Sequence, residues 1–452
     1  MPMGGFIVYT HELKIKKVRD MQKNQKASMK GYYKITFLIG LGFFTMGLMD
    51  PLYDTYVPIF LNRYVASKGL IGLIMTLDNI FAILLIPIVA ALSDRTRTPI
   101  GRRMPYIITT LPLTAICFAL IPFTALRALA PLIIVIFFLN LFKQAARGPV
   151  VALMPDIIPG ELRSEANGVI NTMGGIASIV GTIGLAQLMN IYINLPNRGA
   201  TNQILAFPIA GILVFIAALM LFFFIKERPE SFQEHDKRVS VRSSLKLIFS
   251  EKDKSALLIL CSLLCWFIAY QGVLPFIGLY SVNYLQTTPG TAALAAGMVG
   301  IAYAAFAIPS GIIAHKRGRK VTIRFALVAL TIILLLVYFH LPVVSMFGLS
   351  VLMTQITFWA LMFMFGTFWV AVITNSFPML WQMASFHDMG IYTGLYYFFS
   401  QLAAIVAPPI TGGFIDIFGF RSIFLFAAFF MFLAFLIMGF VTKGEPKDLH
   451  AA

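Results

Sequence analysis

Lys143 and Arg147 stand four residues apart inside FFLNLFKQAARGPVVALMPDI, a stretch otherwise apolar enough to cross a bilayer. An ionised side chain at bilayer depth costs about 2.5–3.5 kcal/mol on insertion scales, so intramembrane charges face cavities and carry partners. On a helix, four residues apart means one face, and the two cations form a polar wall. The acids that could answer them are Asp50 and Asp54 in GLMDPLYDTYV and Asp78 in IMTLDNIFAIL. A rise of about 1.5 Å per residue puts Asp78 roughly 5 Å outward of its span's centre, with Asn140 and Lys143 near mid-depth. The same count puts Asp50 about 10 Å and Asp54 about 16 Å outward. Asp78 is therefore the expected partner, and Asp54 belongs either to the central site or to a solvated vestibule. Three carboxylates against two cations leave one negative charge, which a dry cavity would balance with a proton or a small cation. Asp78, Asp50, Lys143 and Arg147 are thus the candidate ion-coupling residues. A static pair that locks two helices together accounts for the same residues without any titration.

Such a wall needs spanning helices to position it. Of 452 residues, 59% are hydrophobic and 12% charged, with a mean hydropathy of +0.85, which excludes an ordinary soluble domain. Windows of about 19 residues, broken at charges and Pro/Gly clusters, predict twelve spans. They lie near 33–61, 69–93, 105–126, 129–155, 165–193, 204–225, 255–282, 291–314, 321–340, 346–379, 389–415 and 421–441. Several exceed the roughly 20 residues a bilayer requires, so some helices tilt or project. Pro51 withdraws a backbone donor and predicts a kink in the first span, with a freed carbonyl available to line a cavity. Cys117, Cys261 and Cys265 lie in apolar runs and make neither a zinc set nor a disulfide framework. No metal site and no cofactor is expected.

The net charge of +16 does not indicate nucleic-acid binding, because no segment is long and polar enough to carry a basic domain. Topology explains it instead. With the N-terminus inside, 28 of the 35 Lys and Arg fall in cytoplasmic segments and five in outer loops, which places both termini in the cytoplasm of a cell-membrane protein. The basic arm can also meet anionic lipid headgroups. The polar stretch 226–254 separates six spans from six. The expected domains are a basic arm (1–32), an N-terminal bundle (33–225), a linker (226–254), a C-terminal bundle (255–441) and a tail (442–452). The two halves echo each other, since VAALSDRTRTPIGRR after the second span corresponds to GIIAHKRGRK after the eighth. The expected fold is all-α: a polytopic membrane protein of twelve transmembrane helices in two pseudo-repeated six-helix bundles.

At these Gly-Arg turns the chain resembles the major facilitator superfamily. The expanded SDRTRTPIGRRMPYI, with RGPVVALMPDI, RSEANGVINTMGG, NSFPMLWQM and GIYTGLYYFFSQLAAIVAPP, is similar to the sucrose/proton symporters and the glycoside-pentoside-hexuronide cation symporters. The resemblance runs from residue 33 to 441. It implies symport of a glycoside or disaccharide, such as sucrose or maltose, with a proton or a sodium ion by alternating access, in a protein expected to be monomeric. It also implies that Asp94, Arg95, Gly101, Arg102 and Arg103 brace helix ends on the cytoplasmic side, where Asp156 is a plausible ion-pair partner. The second turn has His315 in place of the acid, so a weaker latch is expected there. One departure stands out. The acid that the sucrose symporters carry in the fourth span and the arginine eleven residues on, just past the Gly-Pro pair, fall on Asn140 and Val151, so their coupling pair does not transfer.

Sugars are held by aromatic faces against C–H surfaces and by amides or carboxylates against hydroxyls. The substrate-binding candidates are Asn140, Asp54, Trp266, Tyr270, Gln271, Trp369, Asn375 and Gln401. Aromatics make up 14% of the chain, so packing and lipid contact compete for each of them. Other classes fit less well. His387-Asp388 is no catalytic pair, because neighbours on a helix diverge by about 100°. No catalytic set or phosphate-binding loop is recognisable, and the linker is too short and polar for a sensor's output domain.

Overall fold

In lipid every backbone N–H and C=O must be satisfied within its own segment, so long runs of Leu, Ile, Phe and Ala without charge close into helices. The structure, a computed structural model, describes residues 29–159, 162–196, 199–227, 253–383 and 389–445. Among them are twelve helices long and apolar enough to span a membrane. The first half comprises α1 (Tyr33–Leu61), α2 (Lys68–Arg95), α3 (Met104–Ala125), α4 (Leu129–Ile157), α5 (Glu165–Asn190) and α6 (Ala206–Phe224). The second comprises α7 (Ser255–Asn283), α8 (Pro289–Arg317), α9 (Arg319–Met346), α10 (Val351–Trp381), α11 (Ile391–Phe418) and α12 (Ser422–Gly439). A short antiparallel hairpin, β1 (Ile193–Leu195) with β2 (Gly199–Thr201), links α5 to α6.

The halves share one packing plan. In the first, α1 packs on α5 and α6, α2 on α4, and α3 on α4 and α6; in the second, α7 packs on α11 and α12, α8 on α10, and α9 on α10 and α12. Small residues permit the closest of these approaches: a Cβ added to Gly47 of α1 would lie 2.2 Å from the Gly174 carbonyl oxygen of α5. Between halves, α2 meets α11, α1 meets the C-terminal end of α7, and α5 meets α8.

Prolines lie inside several helices, and at one of them the boundary differs from the hydropathy reading. Pro51 and Pro58 both lie inside α1, which nevertheless runs unbroken from Tyr33 to Leu61. The ninth span was expected to end near 340, yet α9 continues through Pro342 to Met346. Pro342 cannot donate to the Tyr338 carbonyl one turn back, and Arg421 takes that place, its Nε donating to Tyr338 O at 3.0 Å with the guanidinium 4.4 Å above the Tyr338 ring. A breaker is tolerated where a neighbouring element satisfies the group it frees.

Candidate functional site

Asp50 and Asp54 sit one turn apart on α1, and Lys143 projects toward them from α4. Lys143 is 4% exposed, and its Nζ lies 3.0 Å from Oδ1 of both Asp50 and Asp78. Asp78 lies two residues past Thr76, where α2 has a one-residue irregularity with the backbone bonds Thr76 N–H to Gly72 O and Ile80 N–H to Thr76 O kept at 3.1 and 3.0 Å. Gln144, beside Lys143, donates from Nε2 to Asp78 Oδ1. Asn140, one turn before Gln144, donates from Nδ2 to the Tyr53 hydroxyl at 2.9 Å, and the Tyr53 ring lies 5.2 Å below the Lys143 ammonium. The ammonium therefore has two carboxylates and an aromatic face in a nearly dry position, which repays much of its desolvation.

A cavity of about 250 Å³ opens beside this cluster, with a polar wall from the first half and an aromatic wall from the second. Asp50, Asp54, Ser178 and Thr182 face Tyr270, Tyr303 and Trp369. Tyr270 and Trp369 stack, centroids 4.3 Å apart and planes 5° from parallel. Asp54 makes no ion pair or hydrogen bond among the described residues. Lys143 is thus shared by two acids while the third faces the cavity alone.

The depth count differs from this arrangement. It set Asp50 well outward of Lys143, but the flexible four-carbon stem spans the offset and reaches Asp50 as readily as Asp78. Arg147 forms no ion pair within 4 Å among the described residues, although it lies within electrostatic reach of Asp78. Trp266 is fully buried in the core of the second half and does not line the cavity. Asn375 is also buried, its Nδ2 donating to Ala371 O of its own helix at 2.8 Å. Gln271 and Gln401 are half-buried, and neither lines the cavity. His387 and Asp388 lie outside the described residues. Tyr53, Gln144, Ser178, Thr182 and Tyr303 escaped the sequence reading. Tyr53 and Gln144 are the nearest to a legible signal, being Asp50's i+3 neighbour and Lys143's immediate neighbour.

The Gly-Arg turns form a second cluster. Arg103, 1% exposed, pairs through NH2 with Asp94 and through Nε with Asp156 at 3.0 Å. Its NH1 donates to Ser93 Oγ at 2.5 Å and Ala90 O at 3.2 Å. Arg102 grips Asp156 with two bonds, 2.6 and 3.1 Å. Gly101 has φ +113°, and an added Cβ would fall 2.6 Å from Glu227 Cδ. That glutamate, just past α6, accepts from the backbone N–H groups of Arg102, Arg103 and Met104 at 2.7–3.0 Å. Arg95 is exposed. All these bonds stay within the first half.

The second turn is built alike. Gly318 has φ +93°, and Glu445, just past α12, accepts from Arg319 N–H at 2.8 Å and Lys320 N–H at 2.7 Å. Glu445 is the counterpart of Glu227 rather than of Asp94: among the described residues the Arg319 and Lys320 side chains donate to the Pro378 and Gly439 carbonyls, at 3.2 and 2.9 Å, where the first turn has Arg–Asp pairs.

Two matched six-helix halves around a central charged cavity define a multi-pass membrane carrier. The model of the Major Facilitator Superfamily matches residues 36–408 and, in a second match, 285–452; the chain belongs to that superfamily. Comparison with curated protein sequences finds no match. Among solved structures it is similar to a bacterial homologue of the human lysosomal transporter Spinster in an inward-facing, occupied conformation. The TM-score is 0.71 at 12% identity, over 92% of this chain and 97% of that one. It is also similar to a point mutant of the nucleoside transporter NupG, with TM-score 0.71 and 12% identity over 90% and 100% of the two chains. A bacterial metal transporter follows with TM-score 0.63 and 12% identity, over 89% and 97%. At such identities the likeness concerns the fold.

Proposed function

We propose that this carrier is a cation-coupled symporter, with a proton as the coupling ion and a glycoside or disaccharide as the solute, of the sucrose-symporter and glycoside-pentoside-hexuronide type. It catalyses no reaction on its cargo. The observation that supports this most is the unequal sharing of charge: Lys143 answers Asp50 and Asp78 together, leaving Asp54 unanswered at the cavity wall. With Arg147 within electrostatic reach of Asp78, two cations stand against three acids; a proton or small cation on Asp54 completes the balance, and the solute seals the cavity against the stacked Tyr270–Trp369 pair. The bound cation neutralises the site, which favours rocking of the two halves around the closed, loaded cavity. We place the Gly-Arg turns and both termini in the cytoplasm on the strength of the Lys and Arg distribution.

The test is uptake of labelled sucrose and maltose into proteoliposomes under an imposed pH gradient, with and without sodium, for wild type, Asp54→Asn and Asp78→Asn. Accumulation by the wild type without sodium is expected, with Asp54→Asn losing accumulation but keeping exchange. Asp78→Asn is expected to fail in both, because Asp78 holds Lys143 in place. Proton-driven accumulation by Asp54→Asn overturns the assignment. Aromatic faces suit a nucleobase as well as a sugar, so labelled uridine is included; uptake of uridine alone replaces the sugar reading with a nucleoside one.

A further inference from the structure

Hydrogen bonds between the halves gather in two places away from the Gly-Arg turns: at the start of α8, where Pro289 and Gly290 meet Tyr56, Gln187 and Asn190, and along α2 and α11. Asp416, near the end of α11, accepts from Ser67 Oγ at 2.8 Å, from Lys68 N–H at 2.7 Å and from Gly69 N–H at 3.1 Å. These amides are the open start of α2, which has no intrahelical acceptor and carries the positive end of the helix dipole. The Lys68 ammonium turns aside to Ala66 O at 2.5 Å, so the helix start itself, rather than a side-chain ion pair, holds the carboxylate.

Below this cap the two helices touch backbone to backbone. A Cβ added to Gly412 would lie 2.2 Å from Lys68 O, and one added to Gly72 would lie 2.3 Å from Pro408 O. Further down, Pro408 leaves the Ala404 carbonyl of α11 without its usual donor, and Asn79 Nδ2 of α2 approaches that oxygen at 3.5 Å. One acid, two glycines and one proline thus build a seam that closes only when the halves are in register.

We infer that Asp416 is a positioning residue of the transport cycle: by capping α2 from the other half, it holds the carrier closed on the face opposite the Gly-Arg turns. This rests on the alternating-access reading above, but not on the identity of the solute. Ser67 Oγ still accepts from Leu70 N–H at 3.2 Å within α2, so the helix keeps its own cap when the carboxylate is removed. What is lost is the closed state. Charge-assisted hydrogen bonds of this kind are strong enough for their removal to shift a two-state balance by about tenfold.

The experiment places a single cysteine at Ala296 in the cavity wall, with Cys117, Cys261 and Cys265 replaced. Reaction with an impermeant maleimide is followed from either side of sealed vesicles of known orientation. Asp416→Ala is expected to speed labelling about tenfold from the face opposite the Gly-Arg turns and to slow it from the other, with Asp416→Glu partly restoring the wild-type pattern. Gly412→Val, which wedges the seam without touching the carboxylate, gives the same shift and covers the case in which Asp416→Ala fails to fold. Equal acceleration from both faces would mean mere loosening, and unchanged rates in either folded variant would mean no closure at the seam; both overturn the inference. Labelling requires no transported solute, so failure of the sugar assignment leaves this result intact.

Discussion

Lys143 is where the energetics of the site concentrate. Its ammonium is buried against two carboxylates, and removal of one member of a buried pair leaves uncompensated charge, a loss of about 3–5 kcal/mol. Lys143→Met is expected to lower the midpoint of thermal unfolding in detergent, and adding Asp50→Asn and Asp78→Asn together should recover much of it; a midpoint unmoved by the single change would refute a structural pairing. Arg103 is the counterpart in the turn, with Asp94, Asp156, Ser93 and Ala90 around one guanidinium. Lysine cannot reproduce that planar fork. Arg103→Lys should therefore cost about 1–3 kcal/mol, read in the same unfolding assay.

Among the elements, two more helix starts besides that of α2 are completed by acids from distant sequence. Glu227 serves α3 and Glu445 serves α9, each accepting the amides that a first turn leaves open. Glu227→Ala is expected to cost about 1–2 kcal/mol and Glu445→Ala a similar amount, measured by proteolysis of the folded protein; no increase in cleavage would argue against this role. Asp253 caps α7 in the simpler local way, accepting from Ser255 N–H at 2.8 Å and pairing with Lys443 at 3.1 Å. The backbone hydrogen bond, aided by Lys443, holds its carboxyl down to about 2. A depressed carboxylate stabilises fully above its unfolded value and loses that contribution as pH falls toward the folded one. Asp253→Asn should then narrow its stability gap to wild type only below about pH 4, with none of the change between pH 5 and 8. Hydropathy made most helix boundaries legible within a few residues, because lipid leaves the backbone no alternative to helix. It misplaced the end of α9 because the rescue of Pro342 comes from Arg421, seventy-nine positions later.

For the molecule as a whole, the pairing of halves decides what the residues mean. Intramembrane charge was legible from composition alone, since Lys143 and the acids have no other reason to be in lipid. Which aromatics face the cavity was not: Trp266 and Trp369 look alike in sequence, and only the docking of α7 against its neighbours buries the first while Trp369 reaches the cavity wall. Orientation is the corresponding prediction. In right-side-out vesicles an impermeant maleimide should label Ser350→Cys, between α9 and α10, and spare Thr98→Cys, in the first Gly-Arg turn; the reverse pattern would invert the topology.

The glutamates beyond α6 and α12 also bear on how this chain can be divided. A fragment ending at Phe224, where the sixth helix stops, would strand three amides at the head of the third. Severing the polypeptide after Glu227 instead preserves that clasp, so co-expression of the two pieces should succeed with the later cut and falter with the earlier.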